Sequence, residues 1–403
     1  MDVRYPNAAL PSKSAGTFYA AYFGVLGVVM PFLGPFLTGR GIGAVGIGLI
    51  TAAFSLPKIT YAPVLGWLVD RGRWRPGLLS AHVALSLAAA LMMVWVRGPL
   101  MLGLAVLMLG LGYGAVLPVV ETAVLERGRR GYGALRLWGS LGFVLVAGGG
   151  GRLLEAIGME HFPSVMAVLL ALLILTCRPF EEAGRPPAGH TRGRLPRKVW
   201  LLLLLLMMHQ VSHGPLYAFF SIHLRTHGMS DEVVGVMWSV GVLVELVAFL
   251  LGSRLESALG LRRLLTLALA ATPIRWLLLA LPPTIAVVAI AQAFHALTFA
   301  LAHLAAIQLV QRAVPRGAAR RAQALYAGLL FGLGIVAGSA LSGPIYAAGG
   351  GRAAFLAAAG LSIIVLVCWL ALSRRLVTSD TDTPRPPSAT AGSQKNQKIT
   401  LPT

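Results

Sequence analysis

Twelve stretches of predominantly apolar residues succeed one another along this chain, and no other feature restricts its folding as much. They run at roughly 16–37, 44–66, 76–96, 100–124, 134–154 and 162–177, and then at roughly 199–221, 233–253, 264–281, 284–310, 323–347 and 353–373. A helix of about 20 such residues crosses the hydrocarbon core of a bilayer. Inside that core every backbone N–H and C=O must be satisfied within the protein, which long continuous apolar runs achieve as helices. Pro31, Pro57, Pro118, Pro273 and Pro344 fall within runs, where neighbouring helices can satisfy the backbone groups they free.

Composition excludes the soluble alternatives. Hydrophobic residues make up 57% and charged residues 12% of the 403-residue chain, whereas a soluble domain carries roughly a quarter charged residues. The formal net charge of +20 suits a nucleic-acid binder, but not at this hydrophobicity, so no nucleic-acid partner is expected. A polar stretch from Pro179 to Arg197 separates the first six runs from the last six. The expected organisation is an all-α membrane protein of 12 transmembrane helices in two pseudo-symmetric six-helix bundles, 1–178 and 198–376. A central loop spans 179–197, and a Ser/Thr/Pro/Lys-rich tail, 377–403, has no apolar face and is expected to be disordered. The first run is too long for a signal-peptide core and is expected to remain as a span. Cys177 and Cys368 offer neither a disulfide framework nor paired metal-ligand spacing. No metal and no organic cofactor are expected.

Charge orients the chain. With the amino terminus in the cytoplasm, 26 of the 34 Lys and Arg residues fall in cytoplasmic segments. Arg40, Arg97, Arg152, Arg225 and Arg352 fall on the opposite side. The excess predicts a multi-pass protein with both termini cytoplasmic, in a plasma membrane such as the bacterial inner membrane. The three remaining cations, Lys58, Arg136 and Arg275, lie inside spans, as do Glu121 and Glu245. A charge there costs on the order of 2.5–3.5 kcal/mol on insertion scales and marks a functional candidate.

Glu121 and Arg136 flank the loop between spans four and five at matched depth, roughly 8 Å inside the boundary. That placement fits either a substrate clamp or a structural ion pair. Glu245 and Arg275 repeat the arrangement on spans eight and nine, roughly 14–18 Å deep, and His295 on span ten can complete a Glu/Arg/His set. A proton relay and a buried polar cluster both fit such a set. Lys58 suits an anionic solute group, although a Lys can also snorkel to an interface. His209 and His213 share one face of span seven, but no neighbouring Asp, Glu or Cys completes a zinc site. His82 reads as a satisfied core histidine. Tyr22 and Trp138 are aromatic candidates for a pocket wall.

The loop after span two reads Gly66-Trp67-Leu68-Val69-Asp70-Arg71-Gly72-Arg73-Trp74-Arg75. It resembles the G-x-L-x-D-R-x-G-R-R loop of the major facilitator superfamily, shortened by about one residue. The resemblance implies that Gly66, Asp70 and Arg71 help lock the two halves together on the cytoplasmic side. Glu121 to Arg130, followed by Arg136-Leu137-Trp138-Gly139, is similar to the same region of the lactose permeases. There a Glu and an Arg on spans four and five bind substrate, which implies that role for Glu121 and Arg136. Glu245, Arg275 and His295 fall where that branch has its membrane Glu, Arg and His. Thr298, however, stands where the pattern has its proton-carrying carboxylate, and Gln292 stands where it has a Lys. The phenylpropionate permease branch, which also lacks that carboxylate, is similar over Tyr132–Ser140, Val242–Glu245, Ile274–Trp276 and 295–306.

The expected function is alternating-access, proton-coupled symport of a small organic acid, aromatic among the candidates. Glu121, Arg136, Lys58, Arg275, Trp138 and Tyr22 are the expected solute contacts, and Glu245, His295 and His303 the expected proton-handling groups. A sugar or nucleoside symporter and a drug-efflux antiporter are the alternatives within transport. A membrane-embedded enzyme is the remote one: outward loops are short, and no nucleophile–base or metal cluster sits at either interface. The expected partners are a small solute and the lipid bilayer, with the chain acting as a monomer.

Overall fold

A computed structural model describes residues 12–71, 76–127, 132–182, 195–315 and 318–377. The tail and most of the central loop lie outside these residues. The described chain is nearly all helical: α1 (Ser12–Gly39), α2 (Ala44–Ser55), α3 (Pro57–Thr60), α4 (Ala62–Asp70), α5 (Leu78–Trp95), α6 (Pro99–Arg127), α7 (Tyr132–Ile157), α8 (Phe162–Glu182), α9 (Arg197–Val211), α10 (Gly214–Thr226), α11 (Asp231–Ala280), α12 (Ile285–Ala293), α13 (Ala302–Arg312), α14 (Ala319–Ala327) and α15 (Ile335–Leu376). Among the described residues, ten helical segments are long and apolar enough to cross a membrane.

Two of those segments, Asp231–Ala280 and Arg321–Leu376, contain 50 and 56 residues. At about 1.5 Å per residue each is more than twice the depth of a bilayer core. Each turns on glycine: Gly260 has φ +74°, and Gly350 has φ +64° beside Gly349. A side chain is disfavoured at such positive φ, so glycine is what permits a reversal there.

Other runs are interrupted rather than straight. The second is divided into α2, α3 and α4 around Pro57 and Pro63, each of which lacks an N–H for the helix ladder. The seventh is divided at Ser212–His213, just before Pro215. Two π-helical turns, Ala296–Leu301 and Gly328–Gly334, interrupt the tenth and eleventh; such turns recur at functional sites. Helix α8 continues past the apolar run and through Pro179 to Glu182. There Glu181 Oε1 accepts a 2.7 Å hydrogen bond from Ser80 N in the first turn of α5, where a carboxylate complements the helix dipole.

The buried apolar residues form two clusters, divided by depth as well as by sequence. The larger joins the first half to Leu216, Phe219, Trp238, Trp276 and Phe355 of the second. The smaller, around Leu203, Leu265, Leu309, Tyr326 and Trp369, belongs to the second half alone. It lies toward the face on which α1 begins and α15 ends, called here the termini face. The close approaches between halves lie toward the opposite, far face. Gly48 packs on Ser339 and Gly343, and Gly235 on the Ala147 carbonyl; a Cβ at either glycine would collide with backbone. On the same seam Ser239 Oγ donates to Val144 O at 3.2 Å, and Glu155 Oε2 accepts from Glu232 N at 3.0 Å. Nearer the membrane centre, Ile59 of α3 rests on Gly332.

Candidate solute and coupling site

The described residues bring Arg275, His295 and Glu245 together. Arg275 follows Pro273 in the second part of α11 and has no exposed surface. Burying an unpaired guanidinium costs several kcal/mol, and here the surroundings supply acceptors on nearly every side. Nε donates to Ala291 O at 3.1 Å and Nη2 to Gln292 Oε1 at 2.8 Å. Nη1 lies 2.9 Å from His295 Nδ1 and 3.1 Å from Thr298 Oγ1. The Trp276 ring lies 4.9 Å from the guanidinium carbon. Gln292 is held in turn, with its Nε2 donating to Met237 O at 2.8 Å. The two departures from the family pattern, Thr298 and Gln292, are thus both acceptors for Arg275.

Donor arithmetic assigns the ring proton of His295. A guanidinium only donates, so Nδ1 must be the acceptor. The proton of the neutral ring then sits on Nε2, which faces Glu245 Oε2 at 3.5 Å. Both side chains keep some exposure, 12% for His295 and 17% for Glu245. Arg275 is sealed behind them. The order from the accessible side inward is therefore Glu245, His295, Arg275.

A second polar layer lies behind Thr298. His209 Nε2 donates to Thr298 O at 3.0 Å, and His213 Nδ1 donates to His209 O at 3.0 Å. Trp276 Nε1 donates to Ser212 Oγ at 3.3 Å, which closes the bend between α9 and α10. His303 is not part of the Arg275 cluster; its Nδ1 pairs with Tyr326 OH at 2.8 Å. Among the described residues no group of three His, Cys, Asp or Glu could hold a metal.

In the first half, Lys58 lies on α3, partly buried, with its ammonium 5.8 Å from the Phe54 ring centroid. Among the described residues no carboxylate lies within ion-pair distance of it. Glu121 is partly buried on α6. Arg136 belongs to α7, but its side chain lies outside the described residues, so the expected Glu121–Arg136 pair does too. Tyr22 is buried rather than displayed: its ring stacks on Tyr113 at 4.1 Å, and the hydroxyl of Tyr113 donates to Tyr22 O at 2.8 Å. Trp138 is half exposed and lies over Gly16 of α1.

In the expected gating loop, the Arg71 guanidinium stacks over Trp67 at 4.2 Å, and the space around Gly66 is open. The Asp70 side chain and residues 72–75 lie outside the described residues. His82 is satisfied, with Nδ1 on Leu78 O at 2.7 Å and Nε2 on Tyr61 OH at 2.8 Å. Sequence reasoning missed a further cluster on the termini side, where Arg312 Nη2 meets Glu256 Oε1 at 2.7 Å and Gln308 Oε1 at 2.8 Å. Its one signal was a carboxylate, Glu256, four residues before the glycine that ends the helix.

This assembly of spanning helices, with its ionisable residues gathered in the interior, is that of a polytopic membrane transporter of the major facilitator superfamily. Within that superfamily the chain belongs to the MFS_1 like family, whose model matches residues 14–357. It is similar to the probable 3-phenylpropionic acid transporter of Escherichia coli (strain K12), 26% identical over 345 residues that cover 81% of this chain and 89% of that protein. The maltose permease of Geobacillus stearothermophilus is 27% identical over 330 residues, covering 79% of this chain and 83% of that protein. The crystal structure of the nucleoside transporter NupG superposes with a TM-score of 0.77 at 15% identity, covering 90% of this chain and 99% of the other.

Proposed function

We propose that the protein is a proton-coupled symporter of a small aromatic organic acid that works by alternating access. The observation that carries the anion reading is Lys58, an intramembrane ammonium beside an aromatic ring and without a carboxylate partner among the described residues. Arg275 spends its donors on protein acceptors, so it acts through His295 rather than by touching the solute. The probable 3-phenylpropionic acid transporter, as a relative of similar length, supports the aromatic acid as the solute class.

Coupling follows from the order Glu245–His295–Arg275. His295 cannot protonate at Nδ1 without breaking its contact with Arg275, so Glu245 takes the proton. Protonation there removes the negative charge that faces His295, and this lowers the cost of moving the loaded site past apolar walls. Glu121 and Arg136 provide further solute contacts from the first half, and Trp138 a wall. Asp70 and Arg71 lock the halves on the termini face in the opposite state. His303, paired with Tyr326, serves the route by which protons leave toward that face.

The architecture in this reading is twelve crossings, six on each side of the central loop, with α11 and the Arg321–Leu376 segment each contributing two across their glycine turns. Both termini are cytoplasmic and the chain acts as a monomer in the bacterial inner membrane, without a cofactor. Close packing on the far face and a second-half cluster on the termini face support a state open toward the cytoplasm. Rocking of the halves then exposes the site to the other side.

Uptake into proteoliposomes tests the proposal. An inward proton gradient drives accumulation of an aromatic acid such as 3-phenylpropionate and not of its amide. Accumulation of the acid without a proton gradient, or none of it under any gradient, overturns the reading. The maltose permease among the relatives favours a neutral sugar as the second reading, and maltose is the control solute.

A further inference from the structure

Several buried polar atoms of the second half have no hydrogen-bond partner among the described residues, and one of them, His209 Nδ1, belongs to a residue that lines a cleft. His209 is 4% exposed. The protons of this ring can be counted as they were for His295. Nε2 faces a carbonyl oxygen, Thr298 O, which only accepts, so Nε2 carries the hydrogen. In the neutral ring Nδ1 is therefore a lone-pair acceptor. A buried acceptor left unsatisfied bears the full cost of its desolvation.

The same histidine is part of the wall of a small cleft between α9, α14 and the two π-helical turns. Thr298, Phe299, His303, Tyr326 and Phe331 line it as well. The cleft is too small for a ring and large enough for a single polar tip. Its aromatic rim lies beside the first half, because Gly332, next to Phe331, carries the side chain of Ile59. Ile59 is the neighbour of Lys58 on α3. The π-helical turn that carries Phe331 therefore packs against α3, the short helix that also carries Lys58.

We propose that this cleft is a specificity subsite that takes a hydrogen-bond donor, a hydroxyl or N–H, at the end of the solute away from its carboxylate. The proposal rests on the anion reading for the other end of the solute. Nδ1 rewards a donor, gains nothing from a plain ring, and meets only lone pairs from an ether oxygen. A ring hydroxyl or amine is favoured on this basis, and a methoxy group is not.

Two measurements test it. In proteoliposomes, 3-(4-hydroxyphenyl)propionate and 3-(4-aminophenyl)propionate are expected to show KM values at least fivefold below those of the unsubstituted and 4-methoxy acids. His209→Leu is expected to bring the four KM values within twofold of one another. Equal KM values across the wild-type series, or a preference that survives in His209→Leu, overturn the subsite.

The second measurement needs no carboxylate: phenol against anisole as stabilisers of the purified wild-type protein in a thermal shift. Phenol raises Tm and anisole does not; equal shifts overturn the subsite even where His209→Leu fails to fold. Failure of all four acids to be transported, with a phenol-specific shift intact, counts against the anion reading and leaves the subsite standing.

Discussion

Arg275 Nη1 lies 2.9 Å from His295 Nδ1, and this contact settles which nitrogen of the histidine holds a proton. With Nδ1 committed as an acceptor, Nε2–H faces Glu245. The guanidinium therefore acts on the accessible carboxylate through an imidazole of fixed tautomer. The following expectations rest on that relationship and on the packing around it.

Replacing Arg275 with Gln removes a charge whose donors hold Ala291 O, Gln292, Thr298 and His295 at once. The loss of these bonds is expected to destabilise the protein by about 3 kcal/mol, read as a fall in Tm of the purified protein. Arg275→Lys is not expected to rescue it, because an ammonium cannot reproduce the planar fork. A wild-type Tm in Arg275→Lys would show that charge alone suffices.

Glu245→Gln keeps a side chain of the same size facing His295 but cannot lose a proton. Solute exchange across the membrane is expected to continue within about threefold of wild type, while accumulation driven by a proton gradient is lost. Gradient-driven accumulation in this variant would assign the proton to another group.

Lys58→Met preserves the stem packed near Gly114 and removes the ammonium. The KM for an acid solute is expected to rise about tenfold or more, equivalent to about 1.4 kcal/mol of lost attraction. Binding of the corresponding amide is expected to be unchanged. An equal loss for acid and amide would indicate a packing role instead.

On the far face, Gly235→Val places a branched side chain against the Ala147 carbonyl where the halves touch. The seam cannot close around it, so the conformational equilibrium shifts toward opening on that face. Spin labels at positions 155 and 232 are expected to move apart relative to the parent protein. Unchanged separation, with normal folding, would show that the seam yields without opening.

Membrane topology can be read by labelling single cysteines introduced at the exposed positions Pro76 and His227 after Cys177 and Cys368 are replaced. An impermeant reagent applied from outside the cell is expected to reach position 227 and not position 76. The reverse pattern would invert the orientation drawn from the basic residues.

Much of this protein was legible in one dimension because the bilayer imposes a local rule. A run of about 20 apolar residues must be helical wherever it ends up, and loops rich in Arg need no tertiary information to be assigned a side. The interruptions were partly legible: Pro57 and Pro215 mark the breaks in spans two and seven. The π-helical turns at Ala296–Leu301 and Gly328–Gly334 carry no proline and could not be read. In the first of them His209, from a distant part of the sequence, takes up the carbonyl of Thr298.

The candidate site divides in the same way. Intramembrane charge singled out Lys58, Glu121, Arg136, Glu245 and Arg275, since few residues are so costly to bury. Their roles could not be ranked from spacing. Only the packed structure places Arg275 behind His295 with its donors engaged, buries Tyr22 against Tyr113, and leaves Lys58 without a described carboxylate partner. Hydrogen-bond partners come from helices far apart in sequence: Arg275 meets span ten, and His209 reaches the same turn from span seven. The sequence by itself determined what must lie in the membrane and which residues are anomalous there. The direction each anomalous side chain faces, and what satisfies it, was decided by tertiary structure, because close packing between helices follows shapes that no local periodicity encodes.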